Sequence, residues 1–356
     1  MLRPAQLKVD FKLLSFSKGG KPLTIKDLAK KTGYGVATVS RVLNNHPNVS
    51  EKARKAILKA VEESGFELND NAKQLKQQRS NSLLAVVKGT SNEMFGSLVE
   101  YIQSEISKTG YPLLVDYIDE DDNEVLRAVR LCREKKPLGI FILGGNMEHF
   151  EKDFDKIEVP CVLVSSDASN LDFKNLSSVS TDDRLAAKCA MDSLIELGHK
   201  RIAIIGGDRN TSDTGRLRFE GCLASCLEHG IDFDKDKDYL GVRFSYQDGY
   251  DATCRLLENK RNFTALFASA DVMAIGAIRA LNDNGLRVPE DVSVLGFDGL
   301  VLSSFLVPKL STVEQSVKKM AVQSVKILLG SVENGESAKH ETVPFVLRLR
   351  ESTRKI

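Results

Sequence analysis

No run of apolar residues in this 356-residue chain is long enough to cross a bilayer, which excludes a membrane-spanning helix. The first 22 residues are basic but lack a continuous apolar stretch and a small-residue cleavage site, so they make a poor export signal. The six cysteines (Cys132, Cys161, Cys189, Cys222, Cys226 and Cys254) have no CxxC spacing, which argues against a disulfide framework or a thiolate-rich metal centre. Cys222, Cys226 and His229 share one helix face, but nothing else converges on them, and a core helix is the better reading. No glycine-rich phosphate loop follows the first apolar strand, Leu83–Val87, and no Ser-His-Asp constellation is evident, so no enzyme class is indicated. The expectation is a reduced, cytoplasmic protein that is not an enzyme and takes no cofactor and no metal.

What is present starts with charge. The formal net charge of +1 hides an asymmetry, since residues 1–80 carry +9 and residues 81–356 carry −8. A basic head on an acidic body suits a chain of which one end meets phosphate. The length allows two or three separate cores.

Residues 24–44 read as two short helices joined by a tight turn. Ile25, Leu28 and Ala29 fall on one face at spacings of three and four. Thr24 is placed to cap the first helix, and Gly33 to end it in the left-handed conformation. The second helix, 36–43, turns Val39, Val42 and Leu43 inward and leaves Val36, Ala37, Ser40 and Arg41 free. Such a pair is a helix-turn-helix, whose second helix enters the major groove with its N-terminal residues at the base edges. After a loop over 44–49, Ser50 caps a third helix with Ala53, Ile57, Leu58 and Val61 as its inner face, closed by Gly65.

The segment Thr24-Ile-Lys-Asp-Leu-Ala-Lys-Lys-Thr-Gly-Tyr-Gly-Val-Ala-Thr-Val-Ser-Arg-Val-Leu-Asn44 resembles the head of the LacI–GalR family of bacterial transcription regulators, with Gly35 standing where the family usually has Ser. The resemblance continues in order through Leu197-Gly-His-Lys-Arg-Ile202, Arg216-Leu-Arg-Phe-Glu-Gly221, Asp271-Val-Met-Ala-Ile-Gly276, the run Gly285 to Asp298, and a closing Arg350-Glu-Ser-Thr353. It implies a multi-domain chain in which an all-α helix-turn-helix head precedes an α/β periplasmic-binding-protein-like core of two doubly wound parallel-sheet subdomains. The expected boundaries are an N-terminal extension at 1–22, the DNA-binding domain at 23–66, a hinge at 67–82 and an effector-binding and dimerisation domain at 83–356. The extension, which has no counterpart in the family head, is either a disordered basic arm or the product of a start assigned too far upstream.

From Leu83 onward the residues themselves support the α/β core. Short apolar strands are expected at 83–87, 112–117, 139–143 and 161–165, and again at 201–205, 265–268 and 292–297, alternating with amphipathic helices. Continuous apolar strands between helices mean parallel sheets covered on both faces. Two successive series mean two subdomains, with a ligand cleft at their strand C-termini.

By position, Val36, Ala37 and Arg41 match the family's base readers. Arg41 would donate a bidentate pair to guanine, and Val36 and Ala37 would touch thymine methyls. Thr24, Thr38, Ser40 and Asn44 are assigned to phosphates, which position rather than specify. The resemblance makes 71–75 a hinge helix, with Leu75 as a minor-groove wedge, Ala72 the small residue beside it, and Lys73 contributing to all sequences alike. For the effector it selects Arg218 and Asp298 as a donor–acceptor pair, Ser165, and Asp182, the last as either a cap or a ligand. Ser165 and Ala270 stand where many members carry Asp and Asn, which makes a plain sugar less secure. A phosphorylated sugar, a nucleobase or a protein co-regulator therefore stays open. The main expectation is a dimeric repressor that binds double-stranded operator DNA, with affinity set by a small molecule. A solute-binding protein is the more distant alternative. A dimer is the default because the chain stops at Ile356, without the family's tetramerising heptads.

Overall fold

A computed structural model of the chain describes residues 24–43, 49–64, 80–89, 92–258 and 262–356. Asn44, Ala72, Lys73 and Leu75, the extension at 1–22 and most of the hinge lie outside the described residues. The chain divides into two compact units, Met1–Gln77 and Gln78–Ile356, with the break inside the expected hinge.

In the first unit, helices α1 (Ile25–Thr32), α2 (Val36–Leu43) and α3 (Glu51–Ser64) follow one another. Thr24 and Asp27 close a reciprocal capping box, in which the Thr24 amide donates to Asp27 Oδ2 at 2.9 Å and the Asp27 amide donates to Thr24 Oγ1 at 3.4 Å. Gly33 ends α1 at φ 72°, its amide donating to the Ala29 carbonyl. The core of this unit is Leu28, Ala29, Val39, Val42, Ile57 and Ala60. One expectation fails here, because Leu58 is 47% exposed and Ala60 takes its place inside. Ala53, Ile57 and Ala60 keep the i, i+4, i+7 rhythm of a single stripe, and Leu58 lies one position round the helix from it.

The second unit holds two six-stranded sheets. The first is ordered β11 (His340–Val343), β5 (Leu176–Thr181), β4 (Cys161–Val164), β3 (Gly139–Leu143), β1 (Leu83–Lys88) and β2 (Leu113–Ile118), and every neighbouring pair is parallel. The second is ordered β12 (Phe345–Arg348), β10 (Ser311–Gln315), β9 (Ser293–Asp298), β8 (Ala265–Ala268), β6 (Ile202–Gly206) and β7 (Tyr239–Gly241), and only β12 runs antiparallel to its neighbour. Buried side chains such as Phe141, Ile142, Phe267 and Phe297 fill the layers between sheets and helices.

The two subdomains are not consecutive halves, as two simple series would have made them. The chain leaves the first sheet between Thr181 and Asp183 and returns between Gln315 and Val317. There the helix Val317–Asn334 packs on the helix Glu93–Ile106, and β11 extends the first sheet. The chain crosses a third time between Val343 and Phe345 to lay down β12. Gly221 shows how tightly the layers sit, since a Cβ on it would lie 2.1 Å from the Arg184 carbonyl oxygen. That approach explains the glycine that follows Arg216-Leu-Arg.

Cys222 and Cys226 are fully buried on the inner face of the helix Asp213–Glu228, and His229 faces Asp192 at 3.3 Å. Burial raises both thiols, that of Cys226 to about 11. These cysteines act as small core hydrophobes. No helix among the described residues is long and apolar enough to cross a membrane.

Candidate functional site

Chemistry-bearing residues collect on one surface in each unit. On the head, burying Val39 and Val42 turns Val36, Ala37 and Arg41 outward on α2, with Thr38 and Ser40 half-buried beside them and Thr24 exposed at the N-cap of α1. Val36, in the first turn of the helix, is 46% exposed and contributes nothing to the core of the head. A bare valine and alanine next to an arginine match the mixed apolar and hydrogen-bonding edges of the major groove.

In the core, a cleft of about 410 Å³ opens between the strand C-termini of the two sheets. Arg218, Ser165 and Asp298 all line it, and Asp182 does not. Asp182 instead caps the helix Asp183–Glu196, accepting from the Leu185 amide at 2.9 Å. Of the two roles considered for Asp182, the geometry supports the cap. Its neighbour Asp183 is the residue that points inward.

Arg218 is 3% exposed. Its Nε donates to Asp183 Oδ1 at 2.7 Å, and its Nη1 donates to the Ser269 carbonyl and lies 3.7 Å from Asp298 Oδ1. The guanidinium carbon sits 3.7 Å from the centroid of the Phe297 ring. This clamp fixes the guanidinium in one plane, as bidentate recognition of hydroxyls requires. Asp298 and Ser165 end β9 and β4 with φ of 111° and 74°. Side chains are costly there, by about 1–3 kcal/mol each, and such strain gathers where backbone must meet a ligand. Gln315 Nε2 donates to Asp298 Oδ1 at 2.9 Å while Gln315 Oε1 accepts from Thr181 at 2.7 Å. Asp298 is thereby tied to two of the three crossovers between subdomains.

Several cleft residues escaped the sequence reading: Lys88, Asn92, Phe95, Asp208, Arg243 and Phe244. Lys88, Asp208 and Arg243 sit within two residues of the ends of β1, β6 and β7, so the strand-end rule was the signal that could have found them. Phe95 and Phe244 stand against backbone, their rings within 3 Å of where a Cβ on Gly144 or Gly207 would lie. The two subdomains also touch across the cleft. Arg243 pairs with Asp119 and Asp121, Tyr246 donates to Glu93, and the Met147 amide donates to Asp213 Oδ2 at 2.6 Å. Ala270 is buried at the start of the helix Asp271–Asp283 and supplies no side-chain cap.

The next residue, Asp271, accepts from the Leu300 amide at 2.7 Å and from Thr312 Oγ1 at 2.6 Å. Burial and the nearby Asp298 push its carboxyl up to about 8, against those hydrogen bonds. Asp298 is pushed up to about 6 by burial, with Arg218 and Gln315 opposing. Both groups hold protons in the folded state that the unfolded chain has released, so stability falls as pH rises through this window. Raising the pH from 6 to 8 is expected to cost the core unit about 2 kcal/mol, chiefly through Asp271. Thermal unfolding should show a lower midpoint at pH 8, and Asp271→Asn should flatten the dependence. A wild-type midpoint that stays level or rises over this range would refute it.

Residues 24–69 match the bacterial regulatory proteins of the lacI family, and residues 191–353 match the periplasmic binding protein-like domain. The chain is 35% identical over 335 residues to the HTH-type transcriptional regulator MalR of Clostridium butyricum, covering 93% of this chain and 99% of that one. Its structure resembles that of the lac repressor dimer bound to operator and the anti-inducer ONPF, with a TM-score of 0.78 and 26% identity over 94% of this chain and 100% of that one. It also resembles the complex of the transcriptional regulator CelR with cellobiose, with a TM-score of 0.67 and 25% identity over 93% and 99%.

Proposed function

Since the chain belongs to the lacI family of bacterial regulatory proteins, we propose that it is a cytoplasmic, dimeric repressor whose operator affinity is set by a sugar-type effector in the cleft. One observation carries the reading. The same chain presents Val36, Ala37 and Arg41 on an exposed second helix and gathers Arg218, Asp298 and Ser165 at a cleft between two subdomains. The Arg218 donor, the Asp298 acceptor and the Phe95 and Phe244 rings suit a ligand with hydroxyl edges and apolar faces. Thr24, Thr38, Ser40 and Asn44 serve phosphates, and Ala72, Lys73 and Leu75 serve the minor groove. Effector binding changes how the subdomains meet through the three crossovers, and that change sets operator affinity. The coupling is reciprocal, so operator must alter effector affinity by the same factor.

Two apolar surfaces suit a second copy of the chain. Val301, Phe305 and Val307 are 77%, 76% and 93% exposed on one segment of the second subdomain, and Leu114, Val115 and Tyr117 lie bare on β2, an edge strand of the first. Clustered exposed apolar side chains mark association surfaces, and an edge strand invites pairing.

Arg41→Ala tests the groove assignment. It is expected to weaken operator binding by about 1–3 kcal/mol and to relax preference at one base position. Fluorescence anisotropy against single-base operator variants reads both effects. Wild-type affinity with wild-type base preference would mean that α2 docks elsewhere.

A further inference from the structure

We infer that the cleft selects an uncharged sugar and discriminates against phosphorylated or carboxylate-bearing ones. The inference rests on the reading of the cleft as a sugar site and names the class it takes.

Among the described residues the cleft is lined by three cations, Lys88, Arg218 and Arg243, and each is already neutralised. Lys88 Nζ donates to the fully buried Glu124 at 2.6 Å, and Glu124 also accepts from the Asn146 amide. Arg218 is held by Asp183 and Asp298. Arg243 is surrounded by Asp119, Glu120 and Asp121.

Among the described residues no cation is therefore left over for a phosphate or a carboxylate. The balance is instead acidic, because Glu120, Asp121, Asp208 and Asp298 line the cleft themselves, with Asp119, Glu124 and Asp183 directly behind. A dianion entering such a field between low-dielectric walls is repelled rather than captured.

Helix N-termini, the other common anion sites, are also occupied. At the helix Glu93–Ile106 the Asn92 side chain accepts from the Met94 amide, and at the helix Asp213–Glu228 the Ser212 hydroxyl accepts from the Gly215 amide. The first turn of each carries an acid, Glu93 or Asp213, that answers the dipole. A neutral polyol needs none of these charges. Its hydroxyls donate to Asp298 and Asp208 and accept from Arg218, and its ring faces are left to Phe95 and Phe244. A hexose displaces the volume of about six waters, so two linked rings fill most of the cleft.

Calorimetric titration of the full-length protein at about 0.01 M salt, where partly exposed acids are least screened, tests this with maltose and cellobiose against maltose 6'-phosphate and cellobiose 6'-phosphate. The neutral sugar that binds is expected to do so at least about 100-fold more tightly than its phosphorylated counterpart. In the double variant Glu120→Gln, Asp121→Asn that gap should narrow by about tenfold. Phosphorylated sugar binding as well as neutral sugar would overturn the inference and leave the sugar reading standing. An unchanged gap in the double variant would overturn it too, since shape alone would then explain the exclusion. Binding of adenosine with no binding of any of these sugars would remove the sugar reading itself, and the inference with it.

Discussion

Replacing Arg218 with methionine is expected to abolish the effector response while leaving operator binding in place. Among the described residues the guanidinium is the cation that neutralises Asp183 and Asp298 in the cleft wall, at 2.7 and 3.7 Å. Methionine keeps the volume and the contact with Phe297 but leaves two buried carboxylates facing one another. Breaking a buried pair in this way costs about 3–5 kcal/mol of stability. The donor that the effector meets is lost at the same time, and effector affinity should fall at least about 100-fold. A double variant, Asp183→Asn with Arg218→Met, removes one stranded charge and should recover part of the stability without recovering effector binding. Denaturant unfolding and effector titration on both proteins separate the two effects. Lysine is no substitute, because a point charge on a flexible stem cannot hold the Asp183–Ser269–Asp298 geometry. Full effector affinity in Arg218→Met would remove this residue from the site.

The second large effect concerns assembly. If the chain dimerises as proposed, Phe305→Asp is expected to leave a folded monomer and to lower operator affinity by about 100-fold to 10,000-fold. Each head alone grips one half-site, and the gain from joining two heads is lost. Phe305 is 76% exposed and packs little of the core, so the charge harms no interior. Sedimentation velocity should show a single species of half the mass with unchanged far-UV dichroism. The same segment begins at Asp298 and is anchored by Asp271 through the Leu300 amide. Effector contact at Asp298 and subunit contact at Phe305 therefore lie on one short stretch of chain. A dimer that persists in Phe305→Asp would shift the interface to β2 alone.

The head was legible because its information is local. Capping box, left-handed glycine and one apolar stripe per helix all fall within a few residues of each other, and α1 and α2 appear where the pattern puts them. The core was legible where strands are continuous apolar runs, as in β1, β3 and β8. It was not legible in β5, Leu-Ser-Ser-Val-Ser-Thr, which is buried throughout although half its residues are serine. Those hydroxyls are satisfied far along the chain, Ser178 against His340 and Thr181 against Gln315, and no local period carries such pairings. The return of Val317–Asn334 and β11 to the first sheet was hidden for the same reason, since topology depends on contacts distant in sequence. In the cleft, motif position led to Arg218, Asp298 and Ser165 and missed Asp183 by one residue. Which of two adjacent aspartates caps a helix and which turns inward is decided by the register of the helix start.

As a repressor of this kind, the chain is expected to read a two-fold symmetric DNA site through α2. Selection of bound fragments from random and genomic DNA by the purified full-length protein, at near-physiological salt, tests it most directly. An enriched pseudo-palindrome of two half-sites is expected, and its recovered sequence should change when Val36 and Ala37 are exchanged for other residues. Recovery of no preferred sequence, or of a preference indifferent to α2, would contradict it.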